Sequence, residues 1–132
     1  MIEFPQPDIT DTSKPFWDAL NEGELLFQRC KQNHCWLPFR DFCPTCLSNE
    51  LTSEKACGRA KLISWVVYNT AMHEAFKAEI PYNVSLVELE EGPRMMTNIL
   101  APNSDLRADM PLQLSIVDRG DMKLAKFKPT VD

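Results

Sequence analysis

Two short cysteine clips limit how this chain can fold more than any other feature. Cys30-Lys-Gln-Asn-His-Cys35 and Cys43-Pro-Thr-Cys46 stand only seven residues apart, close enough for their thiols to converge on one tetrahedral ion. A closed four-thiolate shell suits Zn²⁺, which has no ligand-field preference and accepts soft sulfur, and C-x₂₋₄-C clips let one turn present two sulfurs. The expected ligands are Cys30, Cys35, Cys43 and Cys46 around a structural zinc. Pro44 pre-sets the second turn, whereas the x₄ gap of the first makes its knuckle bulge. His34, at an x₃ gap from Cys30, is the alternative to Cys35; we take Cys35 as the ligand and His34 as a solvent-facing knuckle residue. Disulfides are disfavoured because MIEFPQPDIT carries neither a basic nor an apolar leader segment, which directs the expectation to the reducing cytoplasm. A redox C-x-x-C would leave the other clip without a role. Cys57 stands apart and is read as a small buried structural residue.

The remaining sequence divides into an arm and helix at 1–24, a zinc ribbon at 25–52 and a barrel at 53–132. Thr12 or Ser13 caps a short helix, with Pro15 in its first turn and Gly23 just past its end. Phe16 and Leu20 share a face, with Trp17 alongside. So short a helix cannot hold itself in water, so this face docks on the protein's own core or on another subunit. The ribbon is too small to build its own core and relies on metal for order. Beyond Lys55 the pattern turns to strands at 61–69, 82–90, 94–100, 111–118 and 122–128, with turns at Glu91-Gly92-Pro93 and Gly120-Asp121. Gly58 lies where a long first strand bends. Five strands without a strong helix fit a closed OB-type barrel, giving a mainly β fold: short helix, rubredoxin-like zinc ribbon, five-stranded barrel.

The formal charge of −5 falls to about −7 once four thiolates hold one divalent ion. An acidic chain is a poor default binder of nucleic acid, and no apolar run reaches the roughly 18 residues of a membrane span.

The order of parts resembles a known family. PFWDAL precedes Leu-Phe-Gln-Arg-Cys30, then Pro-Phe-Arg40 and Cys43-Pro-Thr-Cys46. After the ribbon come Gly58-Arg59-Ala60, Ser64-Trp65, Pro81-Tyr82, Val87-Glu-Leu-Glu-Glu-Gly-Pro-Arg94, Met110-Pro111 and Phe127-Lys-Pro129. From about Lys14 to Pro129 the chain is similar to the acyl-CoA-associated zinc-ribbon/OB-fold family known as domain of unknown function 35. It departs from the family's usual C-x₂-C first clip and from a usual glycine before Met110-Pro111. The resemblance implies a non-catalytic partner of a thiolase-superfamily enzyme, or of a related aldolase or hydratase. Such a subunit would form a heteromeric complex and share a coenzyme A thioester site with the acyltransferase or thiolase it serves.

His73 and Glu74 form the one acid/base pair on the loop from Thr70 to Pro81, but adjacent residues rarely converge on one substrate atom, and no nucleophile accompanies them. The candidate acyl-CoA or partner-facing residues are Arg40, His73, Phe76, Tyr82 and Arg94, since guanidinium groups match coenzyme A phosphates and the aromatics suit a pantetheine wall or a partner grip. Phe16, Trp17 and Leu20 are the candidate docking face. The cluster Arg119, Lys123, Lys126 and Lys128 suits either an anionic ligand or a solvated strand edge. Two competing functions are a nucleic-acid-binding ribbon/OB module, with Phe39, Trp65 and Phe76 stacking bases, and a stand-alone acyl-CoA binder.

Overall fold

Pro15 and Gly23 bracket the first element as the sequence suggests: α1 runs Lys14–Asn21, and Gly23 adopts φ +86° just beyond it. The Gly23 amide donates to the Leu20 carbonyl and the Glu24 amide to that of Ala19, both at 2.9 Å. This is a Schellman closure, which needs a residue at ease in the left-handed region. The computed structural model describes residues 9–70, 74–120 and 122–130, so His73 lies outside the described residues.

Three strands form the ribbon sheet: β1 (Leu26–Cys30), β2 (Cys35–Trp36) and β3 (Leu51–Lys55), in the antiparallel order β2-β1-β3. The barrel sheet comprises β4 (Arg59–Tyr68), β5 (Tyr82–Leu89), β6 (Arg94–Thr97), β7 (Pro111–Arg119) and β8 (Met122–Pro129), ordered β6-β5-β4-β7-β8. The expected strand at 94–100 splits. Its first part pairs with β5, while Ile99 crosses to a parallel bridge with Phe127. There the Leu100 amide donates to the Phe127 carbonyl at 2.8 Å and the Phe127 amide to that of Asn98 at 3.2 Å. This seam between the end strands curls the sheet closed, the arrangement of an OB-type barrel.

Alternation along β5 decides which face is inside. Asn83, Ser85, Val87 and Leu89 are buried, with Tyr82, Val84, Leu86 and Glu88 between them facing outward. Leu62, Val87, Leu89, Leu112 and Phe127 fill the barrel, and Leu20 of α1 with Leu25 and Phe27 of the ribbon join the same core. Each such fully buried side chain contributes about 1.5–3 kcal/mol. A separate small cluster of Cys30, Trp36 and Cys43, with Cys46 and Leu51 against it, occupies the far end of the ribbon.

Two buried amides fix the joints. Gln28 Oε1 accepts the Trp36 indole N–H at 2.7 Å and the Arg40 amide at 2.6 Å, while its Nε2 donates to the Arg40 carbonyl at 3.0 Å. Gln28 thereby ties β1 to the loop between the clips. Asn83 performs the same office at the barrel seam: its Nδ2 donates to the Ile99 carbonyl at 3.0 Å and its Oδ1 accepts the Ile99 amide at 2.7 Å.

Gly58 marks the passage from ribbon to barrel at φ +96°, and a Cβ there would stand 2.9 Å from Gln113 Nε2. Gly58→Ala places a Cβ on this left-handed backbone, while the Gln113 amide end that it meets can swing aside. The substitution is expected to cost about 1–3 kcal/mol, read as a lowered thermal midpoint. An unchanged midpoint would contradict backbone strain at this left-handed position.

Candidate metal centre and adjoining clefts

Each clip closes on a left-handed residue, Asn33 at φ +70° and Leu47 at φ +61°. In the first, the Cys30 amide donates to the His34 carbonyl at 3.0 Å and the Asn33 amide to the Cys30 carbonyl at 2.9 Å; in the second, the Leu47 amide donates to the Cys43 carbonyl at 2.9 Å. The sulfurs of both turns accept backbone N–H groups: Cys30 Sγ from Gln32 at 3.3 Å, and Cys43 Sγ from Thr45 at 3.3 Å and Cys46 at 3.4 Å. Burial opposes ionisation of Cys43, but the amides of Cys46 and Thr45 outweigh it and lower its thiol pKa to about 6. The turns are built to present thiolates.

Four ligand groups converge, those of Cys30, His34, Cys43 and Cys46, with all their ligand atoms within 4.8 Å of one another. Cys30 Sγ lies 3.7 Å from Cys46 Sγ, and His34 Nδ1 lies 3.3 Å from Cys30 Sγ and 3.6 Å from Cys43 Sγ. Tetrahedral zinc, with bonds of about 2.3 Å to sulfur and about 2.0–2.1 Å to nitrogen, places sulfurs roughly 3.8 Å apart and sulfur roughly 3.6 Å from nitrogen. The donor set fits structural zinc in both chemistry and spacing.

The expectation for Cys35 is corrected here, because His34 and not Cys35 enters the cluster. Strand alternation gives the reason. Cys35 pairs with Arg29 and Trp36 with Gln28, and the Cys30–His34 amide bond continues that register. Directly paired residues share a face and successive residues alternate, so His34 falls on the face of Cys30 while Cys35 falls on that of Arg29. The Cys35 thiol points to the Asn33 carbonyl at 3.7 Å, and burial foremost pushes its pKa up. Cys57 is also corrected: it is exposed, not buried. Its S–H donates to Glu90 Oε2 at 3.0 Å, and that bond raises its pKa, leaving it a weak nucleophile.

The predicted docking face and Arg94 come together. Phe16, Trp17 and Leu20 line a cleft of about 580 Å³ whose other walls include Leu37, Met95 and Met96, with Arg94 beside them. Phe16 also packs on Phe39 with centroids 5.7 Å apart. Arg94 Nε donates to Glu88 Oε1 at 3.1 Å, and that bond, above other causes, holds the Glu88 carboxyl below its ordinary pKa. Phe76 and Tyr82 line a second cleft of about 430 Å³ with Glu79, Asn103 and Arg119. Their rings lie 6.1 Å apart, and Tyr82 is 5.5 Å from Tyr68. Asn98, Leu124 and Lys126 line both clefts, which makes Lys126 their common wall. Arg40 is not part of either lining; its backbone is bound to Gln28 while its side chain is exposed. Met95, Asn98 and Glu79 were not foreseen. The hydrophobic spacing of the 94–100 strand pointed to the first, but nothing local marked the others.

The model for the rubredoxin-like zinc ribbon domain of ChsH2 matches residues 17–52, and that for the C-terminal OB-fold domain of ChsH2 matches residues 53–117. A DUF35 domain-containing scaffold protein of Methanothermobacter thermautotrophicus is 32% identical over 99 residues, covering 74% of both chains. The chain belongs to the DUF35 family. A second relative, described as a probable enoyl-CoA hydratase alpha subunit of Thermomonospora curvata, is 32% identical over 134 residues, 96% of this chain. This chain spans only 40% of the length of that relative. Among solved structures, a chain of the Ltp2-ChsH2(DUF35) aldolase superposes with a TM-score of 0.84 at 29% identity, covering 96% of this chain and 100% of that one. DUF35 membership and the cysteine–histidine cluster together support a structural zinc in the ribbon. Among the described residues, no helix is long and apolar enough to cross a membrane.

Proposed function

We propose that this DUF35 chain is a non-catalytic accessory subunit that scaffolds an acyl-CoA-processing enzyme, of the thiolase superfamily or a related aldolase or hydratase, and helps shape its CoA thioester site. The observation that carries this reading is the near end-to-end superposition, at a TM-score of 0.84, on a chain of an aldolase whose description couples ChsH2 to Ltp2. The relative described as a hydratase subunit supports it. Zinc, held by Cys30, His34, Cys43 and Cys46, would cross-link the ribbon, since four protein ligands leave no open position for chemistry.

The surface suits such a role. Val66, Tyr68 and Met96 are exposed, and register places them on one outer face with Val84 and Leu86, through the pairs Val66–Val84 and Leu86–Met96. An uncovered apolar sheet face of this kind marks a protein contact. Neither cleft brings a nucleophile together with a base among the described residues, which fits a subunit that leaves bond making to its partner.

Affinity capture from the source cell, with mass spectrometry, is expected to return one acyl-CoA enzyme that co-elutes with this chain as a single species on size exclusion. The isolated chain should turn over no acyl-CoA. Separate elution of chain and enzyme under every condition, or turnover by the chain alone, would overturn the reading.

A further inference from the structure

Of the tail cluster, the fold carries Arg119 and Lys126 inward, to the lining of one cleft. Of the four expected together, Lys128 is exposed, and Lys123 Nζ donates to Asp118 at 2.8 Å. Arg119, only 16% exposed, is bonded to Glu79 and lies 5.4 Å over the Phe76 ring. Lys126 stands partly buried on β8 and, among the described residues, has neither a hydrogen bond nor an ion pair. Among the described residues the charges acting on it are Arg119 and Glu79, and Glu79 is engaged by Arg119. Burial first, and then Arg119, lowers the Lys126 pKa, the direction expected of an ammonium whose partner is missing. On one side of Lys126 lies the apolar cleft of Phe16, Trp17, Leu37 and Met95; on the other lies the cleft holding Phe76, Glu79 and Asn103.

We propose that Lys126, with Arg119 beside it, receives the oxyanion of an amphipathic ligand whose apolar part occupies the cleft between α1 and β6. The half-buried, unpartnered ammonium sets the charge of the ligand, and the apolar wall within one side chain's reach sets its other half. A carboxylate or a phosphate would satisfy the site, and an acyl thioester of coenzyme A would carry a phosphate to it. The assignment rests on the acyl-CoA reading for its choice of probes but stands on the Lys126 geometry for its charge.

The test is calorimetric titration of the full chain with octanoyl-CoA, coenzyme A and octanoate, repeated on Lys126→Met and Lys126→Arg. Octanoyl-CoA should bind the unaltered chain, and Lys126→Met should weaken binding at least tenfold, as loss of a charge-assisted bond implies. Lys126→Arg should stay within about threefold, because the charge is kept. Binding of coenzyme A without its acyl chain identifies phosphate as the anion, and binding of octanoate identifies carboxylate; either supports the site. Equal affinity of Lys126→Met and the unaltered chain, equal loss in both variants, or no binding of any probe overturns it. Co-elution with a partner enzyme is read separately, so the accessory-subunit proposal survives or fails on its own measurement.

Discussion

His34→Ala is expected to strip the ribbon of its zinc, while Cys35→Ser keeps about one ion per chain. The contrast follows from register. Cys30 and His34 share a face of the β1–β2 hairpin, and Cys35 faces Arg29 on the other side. Structural zinc in small domains is worth about 10–16 kcal/mol, so one ligand of four carries roughly 3 kcal/mol and its loss weakens binding about a hundredfold or more. Competition with a chromophoric chelator and elemental analysis after dialysis read this directly. Cys43→Ser should release the metal as well and loosen the Trp36 and Leu51 end of the ribbon. Leu25 and Phe27, however, belong to the core of the barrel. Circular dichroism of the barrel strands should therefore persist, with the change concentrated in the fluorescence of Trp36, whose indole donates to Gln28. Zinc retained by His34→Ala and lost by Cys35→Ser would reverse the assignment.

The features legible in the sequence were those written in local chemistry. Pro15 and Gly23 delimit α1, paired cysteines mark the knuckles, and alternation marks β5 because its two faces meet different environments. The choice between His34 and Cys35 was not legible, because it depends on the pairing of β2 with β1 and a shift of one residue exchanges every side chain between faces. β3 was missed because LTSEK has no apolar alternation. It forms a strand because β1 offers it a hydrogen-bonding edge from Leu26 to Cys30, a tertiary override of propensity. Cys57 looked like a buried residue, yet its exposure follows from Glu90 and Glu91, distant in sequence, which accept its S–H and N–H. The clefts draw on α1, the ribbon, β6 and β8, so their composition exists only once the barrel closes.

Asn83→Leu is expected to be among the most damaging single changes in the barrel. Asn83 is 4% exposed and fully engaged: Nδ2 donates to the Ile99 carbonyl at 3.0 Å and to Asn103 Oδ1 at 3.1 Å, while Oδ1 accepts from Ser85 Oγ at 2.8 Å and the Ile99 amide at 2.7 Å. Leucine has similar bulk but leaves the Ile99 amide and the Ser85 hydroxyl buried without partners, at about 1–3 kcal/mol each. The total cost of about 3–5 kcal/mol corresponds to a thermal midpoint lower by on the order of 10 °C. Asn83→Asp separates the two halves of the network. A carboxylate can still accept from Ser85 and Ile99 but faces the Ile99 carbonyl and Asn103 Oδ1, so burial favours its protonated form in the folded chain. With the folded pKa raised above the unfolded value of about 3.9, the folded state binds more protons, and the stability of the variant falls as pH rises from about 4 toward neutrality. The Ile99 bridge to Phe127 closes the barrel and sets Asn98 and Lys126 along the clefts. Loss of the seam should therefore weaken octanoyl-CoA binding as it lowers the midpoint, whereas Lys126→Met weakens binding and leaves the midpoint in place. An Asn83→Leu chain that melted within 2–3 °C of the unaltered protein, against the shift of order 10 °C expected, would show that the seam is held by the strands alone.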